Sequence, residues 1–118
     1  MKVLVVDDEP LLVRSLARVL GREGHVVVTA AHGALALELL GTTKVDIVLS
    51  DVRMPVMDGV EFVRRLREVM TTPPPVVLLT GYADTSDAEL RAAGAIAVLG
   101  KPVEVGTLLE TLRRCCEG

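Results

Sequence analysis

Five short apolar runs, Val3–Val6, Val26–Ala30, Ile47–Ser50, Val76–Thr80 and Ala95–Leu99, alternate along the chain with stretches whose apolar residues recur at helical spacing. A run of this kind bounded by turn signals reads as a strand buried on both faces, and such strands need a parallel sheet with helices on each side. In the first helical stretch Leu12, Leu16, Val19 and Leu20 share a face, while Arg14, Arg18 and Arg22 repeat at four-residue steps opposite it. Pro10 suits the first turn of that helix, where no intrahelical bond uses its missing N–H. The pattern predicts further helices over Ala34–Leu40, Val60–Met70, Asp84–Ala93 and Glu104–Arg114. Five βα units with linkers this short make an α/β fold: one doubly wound parallel sheet, right-handed crossovers and no second domain. The 118 residues, 50% of them apolar, are enough to bury that core in one domain spanning 1–118. Pro73-Pro74-Pro75 reads as a stiff surface connection into the fourth strand.

The strand ends carry the chemistry. Asp7 and Asp8 close the first run, Asp51 closes the third, Thr80 ends the fourth, and Lys101 follows the fifth just before Pro102. In open parallel sheets ligands bind outside the carboxyl ends of the strands, so carboxylates, a hydroxyl and an ammonium are expected at one edge. If the first and third strands are neighbours, about 4.8 Å apart, the carboxylates converge, and uncompensated like charge raises one or more of their pKa values. A cation is expected among them. Mg²⁺ takes oxygen ligands and is commonly held by one or two carboxylates plus substrate phosphate. No Ser-His or Cys-His pair falls at a strand end, so the set suits transfer of an anion onto a carboxylate. Asp7 and Asp8 are then the cation ligands and Asp51 the nucleophile, with Thr80 and Lys101 binding phosphoryl oxygens.

Four segments together, Val5-Val6-Asp7-Asp8-Glu9-Pro10, Asp51 through Gly59 (Asp-Val-Arg-Met-Pro-Val-Met-Asp-Gly), Leu79-Thr80-Gly81 and Lys101-Pro102, resemble the receiver domain of two-component response regulators, of the chemotaxis-regulator type. The match runs the length of the chain. It implies the flavodoxin-like strand order 2-1-3-4-5, which puts the first strand beside the third. It implies Mg²⁺ bound mainly through Asp8, with Asp7, Asp51 and the backbone carbonyl of Arg53 in the set, and Asp51 as the phosphorylation site. Thr80 matches the hydroxyl residue that moves toward the phosphoryl group, Gly81 the small residue beside it, and Lys101 the ammonium that pairs with it. The Lys101-Pro102 peptide is commonly cis in the family, aiming the lysine inward. The implied donor is a phosphohistidine on a sensor histidine kinase or histidine phosphotransfer protein, and the implied output is a changed surface on the fourth helix, fifth strand and fifth helix, where a downstream target binds. At the position of the usual aromatic switch in the fifth strand this chain has Val98, which cannot carry a large ring into a vacated pocket. Arg53 and Tyr82 match positions that overhang the phosphoryl group, and are expected to shield it from in-line attack by water.

Other features carry less. The formal charge of −3 and the lack of basic-plus-aromatic patches argue against direct contact with nucleic acid. Lys2 leads straight into a short apolar run ended by Asp7, neither a signal peptide nor a membrane span, so a cytoplasmic protein without membrane contact is expected. Cys115 and Cys116 are adjacent and cannot build a disulfide framework. His25 and His32 lack acidic neighbours and read as passive, Glu9 as a solvated acid, and Asp58-Gly59 as a turn entering a helix. The Arg14, Arg18, Arg22 stripe is a solvated face near which the family docks its kinase. Met54, Met57 and Met70 read as gap-fillers. An aspartate-based phosphatase would carry two acids two residues apart and a cap for substrate, whereas Asp7 and Asp8 are adjacent. A degenerate receiver acting as a constitutive interaction module is opposed by intact Asp8, Asp51, Thr80 and Lys101, and mildly favoured by Val98. The expectation is a phosphoacceptor signalling domain with no output domain of its own, not an enzyme in the ordinary sense, and a monomer or weak dimer.

Overall fold

The computed structural model describes residues 1–81 and 86–116. Its elements alternate strictly: β1 (Lys2–Val6), α1 (Pro10–Arg22), β2 (Val26–Ala30), α2 (Gly33–Leu40), β3 (Ile47–Asp51), α3 (Gly59–Val69), β4 (Val76–Thr80), α4 (Asp87–Ala93), β5 (Ala97–Gly100) and α5 (Val105–Cys116). The strands pair in parallel in the order β2-β1-β3-β4-β5, so the 2-1-3-4-5 topology implied by the resemblance is present, with Val6 beside Ser50. Period-two alternation splits the buried side chains into two clusters. Leu4, Val48, Leu78 and Val98 pack with Phe62, Leu66 and Leu90 of α3 and α4 on one face, while Val5, Ile47, Leu49 and Leu79 pack with Leu16, Leu20, Leu108 and Leu112 of α1 and α5 on the other. The helical periodicity of α1 holds: Leu16 and Leu20 are buried, and Arg14, Arg18 and Arg22 are exposed.

Element ends differ from the sequence expectation where hydrogen bonds decide them. The fifth strand starts at Ala97 rather than Ala95, because Gly94, at φ +128°, turns the chain after α4 and Ala95 N donates back to Leu90 O. Ser86 accepts from Glu89 N as the N-cap of α4, so the helix begins at Asp87; Asp84, the expected start, lies outside the described residues. The third helix begins at Gly59, one residue early, since Asp58 caps it by accepting from Glu61 N at 2.8 Å. α2 likewise begins at Gly33 rather than Ala34, capped by His32, whose ring accepts from Leu35 N. α5 runs from Val105 to Cys116, with Glu104 just before it accepting from Gly106 N, Thr107 N and the Thr107 hydroxyl. No helix among the described residues is long and apolar enough to cross a membrane.

Candidate functional site

The carboxyl ends of β1, β3, β4 and β5 open into one pocket of about 660 Å³, lined by Asp8, Glu9, Asp51, Arg53, Thr80, Gly81, Lys101 and Pro102 among others. Odd-numbered positions near the ends of β1 and β3 point to the α1/α5 side, so Asp7 and Asp51 arrive on the same side of the sheet, buried to 2% and 6% exposure. Asp8, one residue on, is exposed. Carboxylate oxygens of Asp7, Asp8 and Asp51 lie within 4.8 Å of one another. Lys101 reaches in from the loop after β5: its Nζ stands 3.1 Å from Asp51 Oδ2, 3.2 Å from Asp7 Oδ2 and 3.8 Å from Glu9 Oε1. The Lys101-Pro102 peptide is cis.

The loop after β3 is held tightly around the acid. Gly59 opens α3 so close to β3 that a Cβ there would lie 2.5 Å from Asp51 O and 2.9 Å from Val52 Cα, and its N–H donates to Val52 O. Only glycine permits that approach. Between them Met57 packs over Gly33, and Val56 is exposed with φ +71°, inside a turn closed by Met57 N donating to Pro55 O at 2.7 Å. A β-branched residue in the left-handed region is an outlier, and such strain concentrates beside working sites. Met54-Pro55-Val56-Met57 therefore presents one well-defined loop rather than a slack linker.

Electrostatics follow from crowding three carboxylates around one ammonium. Burial pushes the Asp51 carboxyl above its ordinary value and outweighs its hydrogen bond to Lys101; the Asp7 charge adds to the rise, and the Arg53 backbone N–H opposes it. Burial works to lower the Lys101 pKa, but its hydrogen bonds to Asp51 and Asp7 prevail and hold it above the ordinary value. One ammonium among three acids leaves an excess of negative charge. The three acids lie close enough together to share one ion, and an all-oxygen set is of the kind that takes a hard divalent cation.

All but one of the sequence-predicted site residues have a place in the described structure. Asp7, Asp8, Asp51, Thr80, Gly81, Lys101, Pro102 and Arg53 are brought together; Tyr82 lies outside the described residues. Val98 is not in this pocket: it is half-buried in the α3/α4-side core, paired with Leu78, and borders a separate groove of about 470 Å³ with Ile96, Thr107 and Thr111. Glu9, read as purely solvated, is exposed yet approaches Lys101 and gives its N–H to Asp7 Oδ1 at 2.9 Å. His32, read as passive, caps α2, a task more often given to Ser, Thr, Asp or Asn. Sequence alone marks Ser50 only as the end of the third apolar run and gives its hydroxyl no role, because a serine there carries no motif.

Comparison with known proteins agrees with this geometry. Residues 3–113 match the response regulator receiver domain. A positive alginate biosynthesis regulatory protein of Pseudomonas aeruginosa is 41% identical over 117 residues, 97% of this chain and 46% of the relative, and the sensor histidine kinase RcsC of Salmonella typhimurium is 39% identical over 112 residues, 95% of this chain and 12% of that protein. The chain thus spans less than half the length of these curated relatives. Among solved structures, the receiver domain of the Francisella response regulator 1452 superposes with a TM-score of 0.90 at 26% identity, covering 98% of this chain and 96% of that one. The chemotaxis protein CheY4 of Vibrio cholerae superposes with a TM-score of 0.85 at 37% identity, covering 97% of each chain. With the sheet order, the acid cluster and these likenesses in agreement, the chain belongs to the response regulator receiver domain family of two-component systems.

Proposed function

We propose that this receiver domain takes a phosphoryl group from the phosphohistidine of a partner kinase or histidine phosphotransfer protein onto Asp51, and passes the signal on through the surface formed by α4, β5 and α5. The observation that carries the reading is the buried Asp51 carboxylate at the edge of an open pocket, with an ammonium 3.1 Å away and two further acids, Asp7 and Asp8, at hand. An Asp51 oxygen forms the new P–O bond while the P–N bond to the donor imidazole breaks, the imidazole nitrogen keeping the electron pair and taking up a proton. Lys101 stands where it can exchange its contact with Asp51 for one with a phosphoryl oxygen, and Thr80, on the rim, offers a hydroxyl to another. Asp7, Asp8 and Asp51, with the Arg53 carbonyl, would hold Mg²⁺, which supplies charge neutralisation for the incoming phosphoryl group. Transfer of this kind is almost entirely positioning and electrostatics, which is what a rigid sheet edge provides.

The test is incubation with acetyl phosphate and Mg²⁺, followed by intact mass. An acid-stable, base-labile adduct of one phosphoryl group is expected in the parent chain and is expected to vanish in Asp51→Asn while the fold is retained. Stoichiometric labelling of Asp51→Asn on another residue, or full labelling in excess EDTA, counts against the assignment.

A further inference from the structure

Alternation along β3 places the Ser50 side chain on the face opposite the Asp51 carboxylate, in a row across the sheet with Val6, Leu78 and Val98. These neighbours, and Ala30 beyond Val6, are apolar, and Ser50 is fully buried among them. A valine would complete the row without a polar group to satisfy, so the hydroxyl is explained by what it bonds. Its Oγ donates to the main-chain carbonyl of Asp51 at 3.0 Å. The same carbonyl oxygen is the point against which α3 closes, at Gly59, while the next residue is tied on both sides, Val52 N donating to Leu79 O and Val52 O accepting from Gly59 N. The peptide that carries the acceptor is thereby fixed from within the core as well as from the ladder.

We propose that Ser50 is a positioning residue for Asp51: its buried hydroxyl anchors the Asp51 carbonyl and so sets where the carboxylate stands relative to Lys101. This rests on the reading of Asp51 as phosphoacceptor. In-line transfer is sensitive to displacements of a fraction of an ångström at the attacking atom, so an unanchored peptide lowers the rate even in a folded chain.

The test uses the full chain and three substitutions. Ser50→Thr keeps a hydroxyl, Ser50→Val has the volume and strand preference of threonine without it, and Ser50→Ala removes the hydroxyl without adding bulk. The rate constant for Asp51 labelling by acetyl phosphate in Mg²⁺ is read by intact mass, with thermal unfolding of each variant alongside. Ser50→Val and Ser50→Ala are expected to label about tenfold more slowly than the parent, and Ser50→Thr within about twofold of it. Should Ser50→Val fail to fold, the Ala and Thr pair carries the comparison. Equal rates in the hydroxyl-bearing and hydroxyl-free variants, or a loss that Ser50→Thr shares, overturns the positioning role while leaving Asp51 as acceptor. No adduct on the parent chain overturns the phosphoacceptor reading and the role of Ser50 with it.

Discussion

A methyl group at position 59 would meet the Asp51 carbonyl and the Val52 Cα, backbone atoms that cannot rotate aside. Gly59→Ala is therefore expected to cost about 1–3 kcal/mol, read as a lower denaturant midpoint at unchanged slope, and to slow labelling of Asp51, since the segment that must yield carries the proposed acceptor. An unchanged midpoint would show that α3 can shift without disturbing β3. At the ammonium and the hydroxyl the expectation separates by charge. Lys101 already makes charge-assisted contacts to two buried carboxylates, whereas Thr80 is a neutral group on the rim, so Lys101→Ala should slow phosphorylation or uncouple it from output more than Thr80→Val does. Thr80→Val should chiefly weaken the conformational response; spectral changes on α4 that persist unaltered in phosphorylated Thr80→Val would count against a switching role.

At the scale of elements, helix ends were the hardest features to read and are the most testable. The strand cores from Val3 to Val6 and from Val76 to Thr80 fall where the apolar runs end, because burial on both faces leaves no freedom in register. The helix starts at α2, α3 and α5 each lie one residue from where periodicity sets them, because caps there are made by His32, Asp58 and Glu104, and capping geometry is not written in periodicity. Glu104 gives the sharpest consequence. Its hydrogen bonds from Thr107 and Gly106 hold its carboxyl below the ordinary value of 4.5, so its support of α5 is present above that value and is lost as pH falls through the lower, folded-state pKa. The difference in melting temperature between parent and Glu104→Gln should be largest near neutrality and shrink once pH falls below about 4. A difference that stays constant from pH 7 to pH 3 would exclude the carboxylate as its source.

Over the whole molecule, the sheet separates two cores that share no side chain, one against α1 and α5 and one against α3 and α4. Ile47→Val in the first should cost about 1 kcal/mol and Leu66→Ala in the second about 3 kcal/mol, and the double variant should show their sum to within about 0.5 kcal/mol. A larger departure in denaturant unfolding would reveal coupling through the sheet. The site was legible for a related reason: each of Asp7, Asp8, Asp51, Thr80 and Lys101 ends an apolar run, and parallel strands bring such ends together. What stayed hidden, the Ser50 hydroxyl and the approach of Glu9 to Lys101, depends on side-chain directions that a linear pattern does not encode. The contact between Lys101 and Asp7 joins residues 94 positions apart and needs both the first and the last strand in their places in the sheet. A form in which β5 has come away from β4 loses the Lys101 side of the pocket. Any chemistry that needs Lys101 and Asp7 side by side is accordingly confined to the chain with β5 in place on the sheet.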